Sequence, residues 1–394
     1  MKLRLVSLIC IGIFFLFACQ KELLLPDEEI VSTMKSGEVY TEGTLVSFQI
    51  DSKFLKNNLL GDPTTHNVNV YLPKGYNSVS NKRYPVIYWL PGQPSSENSL
   101  IDPVPFEIFQ MIAGLQFPVD FPENGFLDWL NNKIESGEMN EVILVMPDAT
   151  NKFGFSMYTD SPSQGNFEKY IAKELVNYVD SHFKTIPTSK ARALVGHCMG
   201  GYGALRLAFK YPHVFSKVAA LTPAQLPPET VYFCGQLLQM EAQMWDGTLQ
   251  PTLPFNLYSP YKFFTNAMYG FCAAWLPNPE NPPFYCDLPF TFDELGTPVL
   301  NEELMDRWNA QNLPALVQEY RWNTKWLDYI YFDAGIYDEI GMTAPNAGLH
   351  QLMDNLKINH EFETFEGGHI SHLYNRLGMV LVDLSNRITP PQLH

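Results

Sequence analysis

Between about residues 42 and 222, the chain alternates short apolar runs with segments of helical periodicity. Some runs are continuous, such as VILVM, and others alternate apolar with polar residues, such as NVNVYL. Continuous runs of this length are typical of strands buried on both faces, and alternating runs of strands buried on one face. The strands predicted here are residues 66–73, 84–92, 141–148, 191–196 and 217–222.

Helical segments lie between these predicted strands. Residues 165–183 carry Ile171, Leu175 and Val179 one helical turn apart, and a second helix is predicted to begin at the sequence MGGYG. Such alternation is the signature of an α/β domain with a mostly parallel central sheet and helices on both faces.

The pattern breaks between about residues 225 and 300, where Pro, Phe and Tyr are frequent and no period is clear. We interpret this stretch as a cap-like insertion over the functional edge of the sheet, within one domain that spans residues 42–394. The alternative is irregular packing with no role at a binding site. The elements predicted after the insertion are strands at 327–335 and 360–366 and helices near 345–358 and from about 371.

The N-terminus is typical of an export signal. Lys2 and Arg4 precede an apolar run that is shorter than the about 20 residues a membrane-spanning helix needs. The run ends in LFAC, at Cys19, and resembles the lipobox of bacterial lipoproteins. It predicts a signal peptide at 1–18, a lipidated tether at 19–41 and anchoring to the cell envelope. The alternative is an ordinary signal peptide with a chance cysteine.

Composition narrows the possible partners. The chain has 394 residues, 26 of them basic and 42 acidic, and a net charge of −16. This balance argues against a nucleic-acid-binding surface, which is basic.

Four cysteines lie beyond the export segment and Cys19: Cys198, Cys234, Cys272 and Cys286. An exported protein can form disulfides, and Cys272 and Cys286 are near enough in sequence to pair. No cysteine or histidine spacing matches a zinc site, so no metal or other cofactor is predicted.

The sequence around Cys198 is a candidate nucleophile turn. Gly196-His197-Cys198-Met199-Gly200 follows a predicted strand and opens a predicted helix, as in the G-x-S-x-G turn with cysteine in the central place. The tight turn requires small residues two positions away on each side. It also directs the Met199 N–H at an acyl oxygen, and the helix N-terminus favours a thiolate. The alternative is a buried, inert cysteine.

An acid and a base are expected after later strands of the same sheet. Asp338 lies in the loop after strand 327–335 and is the predicted acid. Asp333 ends that strand and is predicted to brace the loop, and Glu339 is the weaker rival.

His369, just beyond two glycines after strand 360–366, is the predicted base. Its rivals are less well placed, because His360 lies at the wrong end of the strand and His350 lies within a helix. His372 is expected to enter the last helix.

A second donor to the oxyanion is expected from the loop that follows strand 84–92. Pro91 has no N–H to donate, so the backbone N–H of Gln93, or of Gly92, is the candidate. The alternative is a plain Pro-Gly turn.

From about residue 42 to its end, the chain resembles the putative-esterase family of α/β-hydrolases, which includes feruloyl esterases, S-formylglutathione hydrolases and mycolyl transferases. The resemblance implies an acyl-ester hydrolase with a nucleophile–His–Asp triad, here Cys198, His369 and Asp338, and no cofactor. The family usually has Ser at position 198 and often His at position 91. The matching stretches are VNVYLPKGYN, RYPVIYWLPG, VILVMPDATN, GNFEKYIAKELVNYVDSHFKT, GHCMGGYGALRLAFKYPHVFSKVAAL, DAGIYDE and EGGHISH.

Three functions are compatible with this sequence. The first is an exported hydrolase of small-molecule or glycan-linked carboxylic esters that works through a covalent acyl-enzyme on Cys198. The second is an acyltransferase or thioesterase on the same triad. The third is a non-catalytic binding protein on a hydrolase scaffold.

Overall fold

A computed structural model describes residues 39–93, 96–256 and 259–388 of the chain. The predicted signal peptide, Cys19 and most of the predicted tether lie outside these residues. Among the described residues, no helix combines the length and the apolar character needed to cross a bilayer.

Seven of the twelve strands in the described residues match predicted strands, and they occur in the predicted order. The twelve strands are β1 (Thr44–Asp51), β2 (Thr65–Leu72), β3 (Val86–Leu90), β4 (Ile143–Pro147), β5 (Asp160–Ser161), β6 (Gly165–Asn166), β7 (Arg192–His197), β8 (Lys217–Leu221), β9 (Phe290–Phe292), β10 (Pro298–Leu300), β11 (Tyr329–Gly335) and β12 (Glu361–Phe365). Eight of them form one sheet in the order β1-β2-β4-β3-β7-β8-β11-β12. Pairing is antiparallel at β1–β2 and β2–β4 and parallel from β4 to β12, which confirms the predicted α/β class.

The helices are α1 (Val104–Ala113), α2 (Phe126–Glu135), α3 (Phe167–Lys169), α4 (Val176–His182), α5 (Met199–Lys210), α6 (Pro228–Met244), α7 (Phe263–Trp275), α8 (Glu302–Asn309), α9 (Leu313–Glu319), α10 (Thr343–Asn355) and α11 (Leu373–Arg387). A π-helical turn, Tyr170–Leu175, joins α3 to α4, and short 3-10 turns occupy Ser189–Ala191 and Asn323–Trp326.

Helices cover both faces of the sheet. One apolar core includes Ile171 beside α3 and Leu205 of α5, and the other includes Leu130 of α2 and Leu377 of α11. Every residue of β3, β4, β7 and β8 is buried, because these central strands are covered on both sides. The edge strand β12 leaves its residues exposed or half-buried.

The sequence pattern did not predict α1, α2 or the helices in residues 225–300. Helix α7 is the clearest case, since 10 of its 13 residues are buried. A helix that is apolar on most sides has no polar face and therefore no clear period. The insertion thus consists of α6, α7, the β9–β10 hairpin and the loops between them.

Candidate active site

Cys198 occupies a sharp turn between β7 and α5. Its backbone has φ 55° and ψ −117°, a conformation that costs a non-glycine residue of order 1–3 kcal/mol. Hydrogen bonds on both sides hold it there. The Cys198 N–H donates to the Leu221 carbonyl at 3.0 Å, and the Cys198 carbonyl accepts from the N–H groups of Tyr202 and Ala224 at 2.9 Å.

The two flanking glycines are required by close backbone contacts. A Cβ on Gly200 would lie 1.8 Å from the Leu90 carbonyl oxygen, and one on Gly196 would lie 2.2 Å from the Gly200 carbonyl oxygen. Backbone atoms cannot move aside as a flexible side chain can. The structure therefore agrees with the prediction that both positions need the smallest residue.

His369 and Asp338 form a buried pair at the same edge of the sheet. Asp338 Oδ2 lies 2.8 Å from His369 Nδ1, and the side chains are 0% and 1% exposed, respectively. The other carboxylate oxygen accepts from the N–H groups of Ile340 and Met342. Burial raises the pKa of Asp338, but the His369 charge and these hydrogen bonds outweigh burial and lower it. Asp338 is therefore held as a carboxylate facing the ring.

His369 is held in its protonated form. Burial lowers its pKa, but the charges of Asp338 and Cys198 outweigh burial and raise the pKa to about 10. The Nε2 atom is buried, and the interaction with the Cys198 side chain, which lines the same small cavity, also raises the pKa. The ring can therefore supply a proton from Nε2 while Nδ1 stays bonded to Asp338.

The rival acids have other partners. Asp333 accepts from Arg376 Nη1 and from the Thr222 N–H, both at 2.7 Å. It therefore connects β11 with α11 and with the loop that follows β8. Glu339 accepts from the backbone N–H groups of Gln116 and His369, both at 2.9 Å. Neither carboxylate bonds to the imidazole ring.

The rival histidines also lie elsewhere. His350 and His360 contact each other at the opposite end of β12, and His372 is the residue that precedes α11.

The two predicted oxyanion donors border the cavity next to Cys198. Met199 is the first residue of α5, so its N–H has no acceptor within the helix, and the helix dipole is positive at that point. Gln93 is buried, and its Nε2 makes no hydrogen bond to the described residues. Gly92 also lies beside Cys198, because a Cβ on Gly92 would be 3.2 Å from Cys198 Cβ.

Sequence reasoning missed two residues that hold this site together. His197 Nε2 lies 3.1 Å from the carbonyl oxygen of His369, and because a carbonyl only accepts, this nitrogen carries the proton. Burial holds the pKa of His197 well below its usual value, so the ring is neutral. The hydroxyl of Tyr158 donates to the Pro91 carbonyl at 2.7 Å and anchors the oxyanion loop. His197 stood inside the predicted turn, whereas no local pattern marked Tyr158.

Aromatic side chains line part of the cavity. Phe106 and Phe109 of α1 line it, and Phe263 of the insertion packs behind Phe109 with ring centroids 6.0 Å apart. The free space is about 10 Å³, enough for about one water molecule. Among the described residues, the direct wall comes from α1 and the insertion forms the layer behind it.

This fold and this nucleophile turn are those of an α/β-hydrolase. The chain belongs to the family described as Putative esterase, whose model matches residues 63–375.

Curated relatives match about two fifths of the chain. A segment of 167 residues is 29% identical to an endo-1,4-β-xylanase/feruloyl esterase of Xylanibacter ruminicola and covers 41% of this chain and 20% of that protein. A segment of 166 residues is 26% identical to an esterase of Mycobacterium tuberculosis and covers 40% of this chain and 29% of that protein. The chain thus spans less than a third of the length of these relatives.

Solved structures share the fold over nearly their whole length. A ferulic acid esterase superposes with a TM-score of 0.54 at 18% identity and covers 88% of this chain and 99% of its own. The fluorophosphonate-binding serine hydrolase F of Staphylococcus aureus superposes with a TM-score of 0.51 at 15% identity, with coverage of 89% and 100%.

Proposed function

We propose that this protein is a carboxylic-ester hydrolase in which Cys198, His369 and Asp338 form the catalytic triad. One observation carries the proposal. A cysteine in a strained turn at a helix N-terminus shares its cavity with a histidine whose far nitrogen is bonded to a buried carboxylate. Family membership supports the reaction class.

The first half of the reaction forms an acyl-enzyme. The Cys198 thiolate attacks the ester carbonyl carbon, an S–C bond forms, and the carbonyl electron pair moves to oxygen. The N–H groups of Met199 and Gln93 stabilise this oxyanion. When the C–O bond to the alcohol breaks, the proton on His369 Nε2 passes to the leaving alkoxide.

The second half releases the acid. His369, now neutral, takes a proton from water as the water attacks the thioester carbon. The S–C bond then breaks, and the thiolate and the imidazolium are restored. Asp338 keeps the Nδ1 proton in place and stabilises the charged ring in both halves.

We propose hydroxycinnamoyl esters, such as feruloyl esters, as the substrate class. The names of a relative and of a structural neighbour include feruloyl or ferulic acid esterase. The rings of Phe106 and Phe109 at the cavity offer an aromatic acyl group the apolar and edge-to-face contacts that aromatic pairs favour.

A panel of esters tests both reaction and substrate class. We expect methyl ferulate to be hydrolysed with a higher kcat/KM than acetylated xylan or an aryl acetate. Only methyl ferulate has an aromatic acyl group that can pack against the aromatic side chains of the cavity. Intact-protein mass spectrometry of samples quenched during turnover should show the added acyl mass, and peptide mapping should place it on the peptide that contains Cys198. Equal rates for all esters would reject the substrate class, and absence of hydrolysis throughout would reject the reaction.

Acyl transfer is separated by the same experiment. If added alcohols or thiols accelerate loss of the acyl-enzyme and accumulate as acyl products, the protein is an acyltransferase on the proposed triad.

We also propose that the protein is exported and anchored through a lipid on Cys19, a residue outside the described part of the chain. The support is the charged start, the short apolar run and the LFAC ending. In a bacterial host, Cys19→Ser should prevent lipidation. The protein should then either move to the soluble fraction or keep its signal peptide uncleaved. Cys198→Ser is the matched control and should stay with the membrane. Cys19→Ser protein that stays in the membrane fraction with its signal peptide removed would reject the anchor.

A further inference from the structure

We propose that His350, Asp354 and His360 form a binding site for a divalent transition-metal ion of the Zn²⁺ class, remote from the catalytic residues. Each of the three side chains offers one ligand atom, and these atoms lie within 4.8 Å of one another. Two imidazoles and one carboxylate are the ligand types that Zn²⁺ takes in three-ligand sites whose remaining position is open to water.

The fold brings the three residues together through one chain reversal. His350 and Asp354 are one turn apart on α10, so they share a face of that helix. After the helix, Lys357 adopts φ 56°, and the chain turns back so that His360, just before β12, contacts the last turn. The spacing of these residues along the chain does not match known zinc sites, because His360 reaches the other two ligands only through that reversal.

The distances suit a small ion. His360 Nε2 lies 2.9 Å from His350 Nδ1 and 4.0 Å from Asp354 Oδ1, and the candidate ligand atoms of the three residues all lie within 4.8 Å of one another. Donor atoms around a tetrahedral Zn²⁺ ion are about 3.4 Å apart, given metal–ligand bonds of about 2.1 Å. The two separations measured from His360 Nε2 lie on either side of that value, and rotation of the partly exposed His350 and Asp354 side chains can bring all three donors around one ion.

The buried ligand is already oriented. His360 Nδ1 lies 2.8 Å from the Ile358 carbonyl, so that nitrogen carries the proton and Nε2 presents its lone pair to the cluster. Ligating histidines are typically held by such a bond from the other ring nitrogen. Both rings are also packed, His360 against Phe332 and His350 against Phe362, with interplanar angles of 15° and 25°.

The open side of the cluster allows an ion to enter. The His360 side chain is 2% exposed, whereas His350 is 37% and Asp354 61% exposed. In the metal-free arrangement a single proton joins the facing nitrogens of His350 and His360, and an ion would take its place. Such an ion would fasten the end of α10 to the start of edge strand β12.

Titration with ZnCl2 tests the site, in a Cys198→Ala background so that the catalytic thiol cannot bind the ion. We expect one equivalent of zinc by isothermal titration calorimetry and a zinc-dependent rise in Tm. Adding His360→Gln should weaken binding at least about 100-fold and abolish the Tm rise, since a ligand costs at least as much as its supporting residue. Adding His182→Gln removes an exposed histidine that is bonded to its own helix. This control should leave the zinc affinity and the zinc-dependent rise in Tm unchanged.

Asp354→Asn keeps the test decisive if the buried His360 variant does not fold. Asp354 is on the surface, so this variant is expected to fold and to bind zinc at least about tenfold more weakly. Absence of zinc binding in Cys198→Ala, or equal binding in the Asp354→Asn and His182→Gln variants, would overturn the proposal.

Discussion

Cys198→Ala is expected to lower kcat for an ester substrate by roughly 10⁶-fold, the order of the loss seen when the nucleophile of a triad is removed. The thiol is the group that forms the covalent bond, and alanine leaves only the oxyanion donors and the cavity. Because Cys198 also raises the pKa of His369, the variant should show a lower His369 pKa when its ring protons are titrated by NMR. Steady-state kinetics on methyl ferulate provides the main measurement.

Cys198→Ser and Cys234→Ala complete the comparison. Serine needs His369 to accept a proton during attack, so we expect it to retain more activity than alanine. Cys234 is inert by contrast, since burial raises its pKa to about 12. Cys234→Ala should therefore leave turnover and inactivation by iodoacetamide unchanged. Turnover of Cys198→Ala within a few-fold of the natural protein would eliminate Cys198 as the nucleophile.

Asp338→Asn is expected to lower kcat by about 10²- to 10⁴-fold. An amide can donate to Nδ1 and so favour the wrong tautomer of His369, and it removes a charge that stabilises the imidazolium. The pKa of His369 should therefore fall from about 10 toward its ordinary value of 6.5. The protonated His369 that donates to the alkoxide would then be lost at a lower pH than in the unmodified protein. A pH–rate profile measures this shift.

The same substitution also changes how the free energy of unfolding depends on pH. The folded-state pKa of His369 is raised, so its contribution to the unfolding free energy is complete below about pH 6.5 and is lost as pH rises through about 10. In Asp338→Asn this loss should be smaller, as urea unfolding across that window would show.

Glu339→Gln is the matched control for the acid, because Glu339 is the neighbouring carboxylate and bonds only backbone N–H groups among the contacts described above. It should change kcat far less than Asp338→Asn. If Glu339→Gln were the more damaging variant, the carboxylate assignment would be reversed.

Much of the central sheet was predictable from the chain because burial of central strands on both faces leaves continuous apolar runs. VIYWL and ILVMP are strands β3 and β4, and the prediction from pattern was confirmed to within a few residues. Helix α1, with sequence VPFEIFQMIA, was not predicted, because its apolar side chains are spread around the helix. Its function as the inner wall of the cavity follows from Phe106 and Phe109, which only packing places beside Cys198.

The sequence by itself determined the sharp turn at Cys198, because a glycine spacing around a strand-to-helix junction is a local requirement of the backbone. It also determined the order in which an acid and a base follow. Only the tertiary structure decided between Asp338 and Glu339, since adjacent side chains in one loop point to different partners. It alone joined His350 and Asp354 to His360, and Tyr158 to Pro91. Contacts between distant segments depend on how the chain packs, and no local pattern encodes them.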